Sequence, residues 1–298
     1  MNSFTFIYII GIFIILNLFQ GFTNISLENQ LIYSSIFILL LGIPHGAIDH
    51  VLFFKKREMS QLKFYTIYLG LSLLFVALWH VWPITSLILF LLISAFHFGE
   101  SQFADISFKN IFRYLFYFFW GLCLLSTLMF YNVSELFEIT SYFDDTIILD
   151  KIYNKGKIGI FFYVTNIVTI LSICALVFYD KINKDRLFSE LFLLFLIHVT
   201  FYLFPFIIGF TLYFVALHSL KVMNDEFKFL KSEEENFSIY KFLKLLAPYS
   251  MLSIFGTALL LALSYYSYIS YSIPFLAIII ISVITLPHAI VMNIFYNE

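Results

Sequence analysis

Residues 42–50 read Gly42-Ile43-Pro44-His45-Gly46-Ala47-Ile48-Asp49-His50, a polar knot set inside a long hydrophobic run. Proline, glycine, an acid and two histidines in such a run are costly to expose to lipid. Ionisable groups there turn inward and are functional candidates. Three later stretches carry matching pieces: Phe96-His97-Phe98-Gly99-Glu100, Leu217-His218-Ser219 and Leu286-Pro287-His288. The expectation is that these pieces meet and hold a metal.

Working outward from that knot, the 298-residue chain is 61% hydrophobic and 12% charged. A soluble domain is about 45–50% apolar and about 25% charged, so an integral membrane protein is expected. The fold class is all-α: a polytopic helical bundle forming one membrane domain over residues 1–298. The net charge of −2 gives no basis for a nucleic-acid partner. Cys123 and Cys174 fall inside apolar runs and imply no disulfide framework. Met1-Asn2-Ser3-Phe4 lacks the basic start of a secretory signal, so the first segment is expected to be retained. The 40 Phe and 20 Tyr suit either lipid-facing packing or a pocket for a large apolar ligand.

A bilayer is crossed by roughly 20 apolar residues. About ten such runs occur, near 3–20, 30–53, 64–82, 83–104, 111–131, 157–179, 187–204, 206–223, 243–265 and 273–296. The pair around Pro205 reads as a tight hairpin or one broken helix, and the longest connections lie at about 132–156 and 224–242. With the N-terminus cytoplasmic, the inner connections hold Lys55, Lys56, Arg57, Lys63, Lys109 and Arg113. They also hold Lys181, Lys184, Arg186, Lys221, Lys228, Lys231, Lys241 and Lys244, making 14 of 17 basic residues. Only Lys151, Lys155 and Lys157 stay outside, in a region that also carries Glu135, Glu138, Asp144, Asp145 and Asp150. The positive-inside rule therefore puts both termini in the cytoplasm.

In that topology His45, His97, His218 and His288 lie on spans two, four, eight and ten, all running inward. His45 is ten residues before Lys55, His97 twelve before Lys109, and His288 ten before the C-terminus. His218 is only three before Lys221, a residue able to snorkel. At about 1.5 Å per helical residue, four imidazoles can share one layer in the cytoplasmic half of the bilayer. On a straight helix His50 would point about 140° from His45, while Asp49, at i+4, would share His45's face. Asp49 is thus a candidate acceptor for an imidazole N–H, and His50 a weaker ligand candidate. Glu100, three residues from His97, shares its face as ligand, supporting group or helix-end charge. Pro44 and Pro287 each precede a histidine and loosen the helix there. Gly46 and Gly99 allow close approach. His80, between Trp79 and Trp82, reads as interfacial, and His198 as an interhelical hydrogen-bonding group.

Imidazole suits Fe, Cu, Zn and Ni. Polar packing around kinks is the competing reading of these histidines. A transporter with a midplane site, a bis-histidine haem protein and a desaturase are further alternatives. The transporter predicts an inverted repeat, of which only Ile43-Pro44-His45-Gly46-Ala47 against Leu286-Pro287-His288-Ala289 is an echo. The desaturase needs HxxxH and HxxHH boxes, which are absent.

Residues 42–50, Phe96-His97-Phe98-Gly99, Ala216-Leu217-His218-Ser219-Leu220-Lys221 and Thr285-Leu286-Pro287-His288 resemble the Brp/Blh family of bacterial and archaeal membrane β-carotene 15,15'-dioxygenases. The resemblance runs in order from about 40 to 292. It implies Fe(II)-dependent cleavage of the central double bond of β-carotene by O₂, giving two retinals for a rhodopsin. It places His45, His97 and His218 at family ligand positions. The family's next histidine, four residues beyond His218, is here Val222. His288 is expected to complete the iron sphere, with His50, water or weakened activity as alternatives; an inactive carotenoid-binding relative also stays open. Phe96, Phe98 and Phe214 are candidate polyene contacts.

Overall fold

The computed structural model describes residues 3–18, 25–106, 111–141, 144–147 and 155–297. Lys109, Asp150 and Lys151, used in the charge reading above, lie outside the described residues. All regular structure among the described residues is helical: α1 (Ser3–Leu18), α2 (Leu27–Phe37), α3 (Asp49–Lys56), α4 (Gln61–Val81), α5 (Pro83–Phe103), α6 (Ile111–Tyr131) and α7 (Val133–Ser141). The chain continues through α8 (Lys155–Phe178), α9 (Lys184–Leu203), α10 (Phe206–Tyr213), α11 (Leu220–Glu233), α12 (Ile239–Tyr265) and α13 (Ile273–Asn297). Among the described residues, counting rods that continue through irregular turns, nine are long and apolar enough to cross a bilayer, as in a polytopic membrane bundle. The first expected span, near 3–20, is described as α1 over Ser3–Leu18, and residues 19–20 lie outside the described residues.

Two stretches expected as connections are in part helical. Residues 133–141 form α7, and α11 runs on to Glu233. Both helices alternate apolar and charged faces. They lack the continuous apolar run by which a span is recognised, so a hydropathy reading passes over them.

The residues group into two compact units, each drawn from three separated stretches. The first unit comprises Met1–Gly42, Ala95–Ile139 and Tyr153–Lys221. Its centre is α6, buried along most of its length. A Cβ at Gly99 would collide with the backbone carbonyl of Tyr117, and one at Gly121 with that of Ala95. These two glycines let α5 and α6 touch backbone to backbone. Against α8, Phe130 stacks on Phe162 at 4.1 Å and Ser126 Oγ lies 2.7 Å from Thr165 Oγ1. The link around Pro205 ends α9 at Leu203, and α10 starts at Phe206. The Phe206 N–H donates to Glu135 Oε2 at 2.6 Å, so a carboxylate sits at the new helix's positive end.

The second unit comprises Ile43–Ser94, Thr140–Ile152 and Val222–Glu298. Its core joins Ile48, Leu52, Phe53, Val222, Met292 and Phe295 with neighbouring apolar side chains. Helix α4 lies along α13. Trp79 Nε1 donates to Ser282 Oγ at 2.7 Å, and Ser72 Oγ lies 3.4 Å from the Val283 carbonyl. Trp79 is buried, with its N–H satisfied by that acceptor, and Trp82 is exposed.

Candidate metal centre

The sequence places its four histidines on helices. The structure gives two of them irregular backbone. Between α2 and α3 the chain widens into a π turn at Ile38–Gly42 and tightens into a 3-10 turn at Ile43–Gly46. Pro44 has no N–H to continue an α-helix, and its carbonyl accepts from Ala47 N at 3.0 Å. His45 projects from this turn and is buried. His218 lies within a second π turn, Phe214–Ser219. Such turns are frequent at functional sites because they re-aim side chains that a regular helix would misplace. His97 sits on the regular helix α5, and His288 follows Pro287 within α13.

In the second unit the rings of His45 and His288 meet edge to face, their centroids 4.7 Å apart and planes at 89°. His288 Nδ1 is 2.8 Å from Asp49 Oδ1, and both side chains are buried. An ionised carboxylate only accepts, so Nδ1 donates, and in the neutral ring Nε2 carries the lone pair. The Tyr68 hydroxyl donates to the other oxygen, Asp49 Oδ2, at 2.8 Å. A Cβ at Gly46 would stand 3.2 Å from His288 Nδ1, so this glycine makes room for the ring.

The i+4 expectation that paired Asp49 with His45 needs correction. Residues 43–48 are not α-helical, so the spacing does not put Asp49 on His45's face. Its carboxylate meets an imidazole 239 positions away. His50 packs its ring on Tyr249 at 4.4 Å and faces Tyr65 at 6.3 Å.

In the first unit His97 and His218 form a similar pair, with centroids 4.8 Å apart and planes at 81°. His218 Nδ1 lies 3.0 Å from Ser101 Oγ, and that hydroxyl also reaches the Phe98 carbonyl at 3.0 Å. Ser101 has one proton to give. Donated to the carbonyl, it leaves the oxygen to accept from Nδ1–H, which again leaves the lone pair on Nε2. Lys221 Nζ donates to the Ser101 carbonyl. Phe98 stands edge-on to His218 at 4.8 Å, and Phe214 stacks on it at 5.5 Å. Phe96 turns elsewhere, towards Tyr114 and Tyr117. Glu100 is fully buried one turn from His97.

The remaining histidines are placed as polar packing groups. His198 Nε2 lies 2.9 Å from Asn166 Oδ1 and Nδ1 3.2 Å from Tyr131 Oη, linking α9 to α8 and α6. His80 is exposed, with Nδ1 2.9 Å from Tyr271 Oη. Val222 is fully buried in the apolar core of the second unit.

Three groups escaped the sequence reading. Ser101 and Tyr68 are types that occur anywhere, and neither stands at a telling spacing from its histidine partner. Glu226 belongs to a polar turn, Asn224-Asp225-Glu226, that reads as solvated. It is nonetheless fully buried, with neither carboxylate oxygen hydrogen-bonded among the described residues. A carboxyl at i+4 from Val222 and i−4 from Leu230 is the one signal that it joins the apolar face.

Each pair of buried imidazoles is chemically suited to a divalent transition metal, and one ring of each pair has Nδ1 against an oxygen partner, so that its Nε2 would be the nitrogen to bind a metal. The sequence of residues 36–296 matches the family described as "Beta-carotene 15,15'-dioxygenase". A curated relative of that name, from Uncultured marine bacterium 66A03, is 38% identical over 71 residues. The matched stretch covers 22% of this chain and 26% of that relative's length. No solved structure matches the chain. With helices and histidines arranged in this way, and a family match covering most of the sequence, the chain belongs to the β-carotene 15,15'-dioxygenase family.

Proposed function

We propose that this chain is a multi-pass membrane enzyme that splits the central 15,15' double bond of β-carotene with O₂. One oxygen atom passes to each half, so that two retinal molecules leave and no other reductant is needed. The observation that carries the reading is the family match over residues 36–296. We assign the iron ligands as His45, His97, His218 and His288. Fe(II) held there would supply the activation of O₂.

The chain's own residues then have defined tasks. Asp49 and Ser101 hold the Nδ1 protons of His288 and His218 and so present Nε2. Phe98 and Phe214 wall His218 with apolar surface, which keeps water away and suits contact with a polyene. Phe96 would contact the substrate only further out. Glu100 supports His97 from one turn away. A hydrocarbon substrate enters sideways from the lipid, so no aqueous channel is required. We place the protein in the cell's inner membrane with both termini cytoplasmic, on the bias of its basic residues. Its product would serve a retinal-binding rhodopsin.

Val222 supports one second reading, a relative with weakened or no activity that still binds carotenoid. Expression in bacteria that accumulate β-carotene separates the two. Loss of orange colour with two retinals formed per carotene supports the enzyme. Persistent colour, with the protein present and iron supplied, favours the inactive relative.

A further inference from the structure

Tyr68 stands on α4 at the point where that helix runs along α13. Its place is set from several sides. Ser72 Oγ, one turn on, lies 3.2 Å from the Tyr68 carbonyl and 3.4 Å from the Val283 carbonyl of α13. Further along, Trp79 Nε1 bonds Ser282 Oγ at 2.7 Å. The Tyr68 ring packs against the apolar core of the second unit and lies 5.6 Å from the Phe64 ring. From this position its hydroxyl donates to Asp49 Oδ2 at 2.8 Å, while Asp49 Oδ1 receives His288 Nδ1 at 2.8 Å. Both carboxylate oxygens therefore have one assigned partner each. A buried carboxylate held at only one oxygen would be able to rotate about its terminal bond, since that torsion is soft.

We propose that Tyr68 is a positioning residue for the metal centre, acting through Asp49 on His288. The phenol pins the carboxylate plane, the carboxylate pins the Nδ1–H, and the imidazole is held in the tautomer and orientation that offer Nε2. Groups that orient a metal-bound histidine affect metal affinity by about 10–100-fold when removed, and Tyr68 stands one bond further out. This inference rests on His288 being a ligand, as assigned above.

The test is titration of the purified full-length protein in detergent with Co(II) alone, read by the ligand-field bands of the bound ion. Tyr68→Phe keeps the ring and removes one hydroxyl. It should weaken Co(II) binding by about tenfold, and the metal-free protein should still fold cooperatively but melt a few degrees lower, because the buried Asp49 Oδ2 loses its donor. Asp49→Ala removes both oxygens of the link and should weaken binding at least as much. The double variant should lose no more than Asp49→Ala alone, because Tyr68 has nothing to act through once the side-chain oxygens are gone. Co(II) binding at wild-type strength in either single variant, or losses that add in the double variant, would overturn the role. Tyr65→Phe, on the same helix but facing His50, is the control and should bind like wild type. A protein that shows these binding effects yet leaves β-carotene intact overturns the proposed reaction and keeps the role of Tyr68. A wild type that binds no Co(II) overturns both.

Discussion

Ser101 Oγ lies 3.0 Å from His218 Nδ1 and 3.0 Å from the Phe98 carbonyl, so one hydroxyl both closes a helical turn and fixes an imidazole's tautomer. Asp49 does the same for His288 with a carboxylate. Two histidines from distant parts of the chain thus offer the same ring nitrogen by different chemistry. Ser101→Ala removes the acceptor and leaves Nδ1–H without it in a buried setting, at a cost of about 1–3 kcal/mol. The expected outcome is about tenfold weaker metal binding, with Ser101→Thr close to wild type. Metal content per purified protein after dialysis against graded metal buffers checks it.

Gly46 and Gly70 form a contrasting pair. A methyl at Gly46 would stand 3.2 Å from His288 Nδ1, a ring already tied to Asp49 and pressed against His45. The ring has no room to give, so Gly46→Ala should lower carotene cleavage by more than about tenfold, in line with the cost of a misplaced reacting group. Gly70 has nothing within 4 Å of where its Cβ would be. Gly70→Ala should leave cleavage intact and stabilise α4 by up to about 1 kcal/mol. Retinal yield and melting temperature, measured on both variants, decide the matter.

Restoring the family's histidine at 222 should not restore anything. Val222 is fully buried against Ile48, Leu52 and Met292. An imidazole there must lose its water without a ready partner, at about 1–3 kcal/mol on mutational scales. Val222→His is expected to melt several degrees lower and to cleave no faster than wild type. A rise in cleavage or in metal content would show that the core side chain can reach the metal.

His45→Ala should abolish cleavage, whereas His80→Ala should retain it. His80 is exposed and its hydrogen bond to Tyr271 Oη is at the surface, where such contacts contribute about 1 kcal/mol or less. Equal loss in both variants, assayed as retinal formed in carotene-producing cells, would argue against the site as drawn.

Local chemistry alone determined which segments of this chain enter a membrane and which side chains stand out within them. Hydrophobic length is a property of about 20 consecutive residues, and a histidine after a proline is conspicuous wherever it occurs. Helices α7 and α11 escaped that reading because their faces alternate.

Tertiary structure decided the partners. Asp49 looks like a companion of His45 only while the backbone between them is taken as helical. The 3-10 turn at Ile43–Gly46 and the turn that follows it break that register, and the carboxylate instead meets His288, with Tyr68 on its other oxygen. Ser101 gained its role in the same way. A hydrogen bond of about 3 Å depends on where helices from distant parts of the chain are packed, and no spacing within a single helix encodes it.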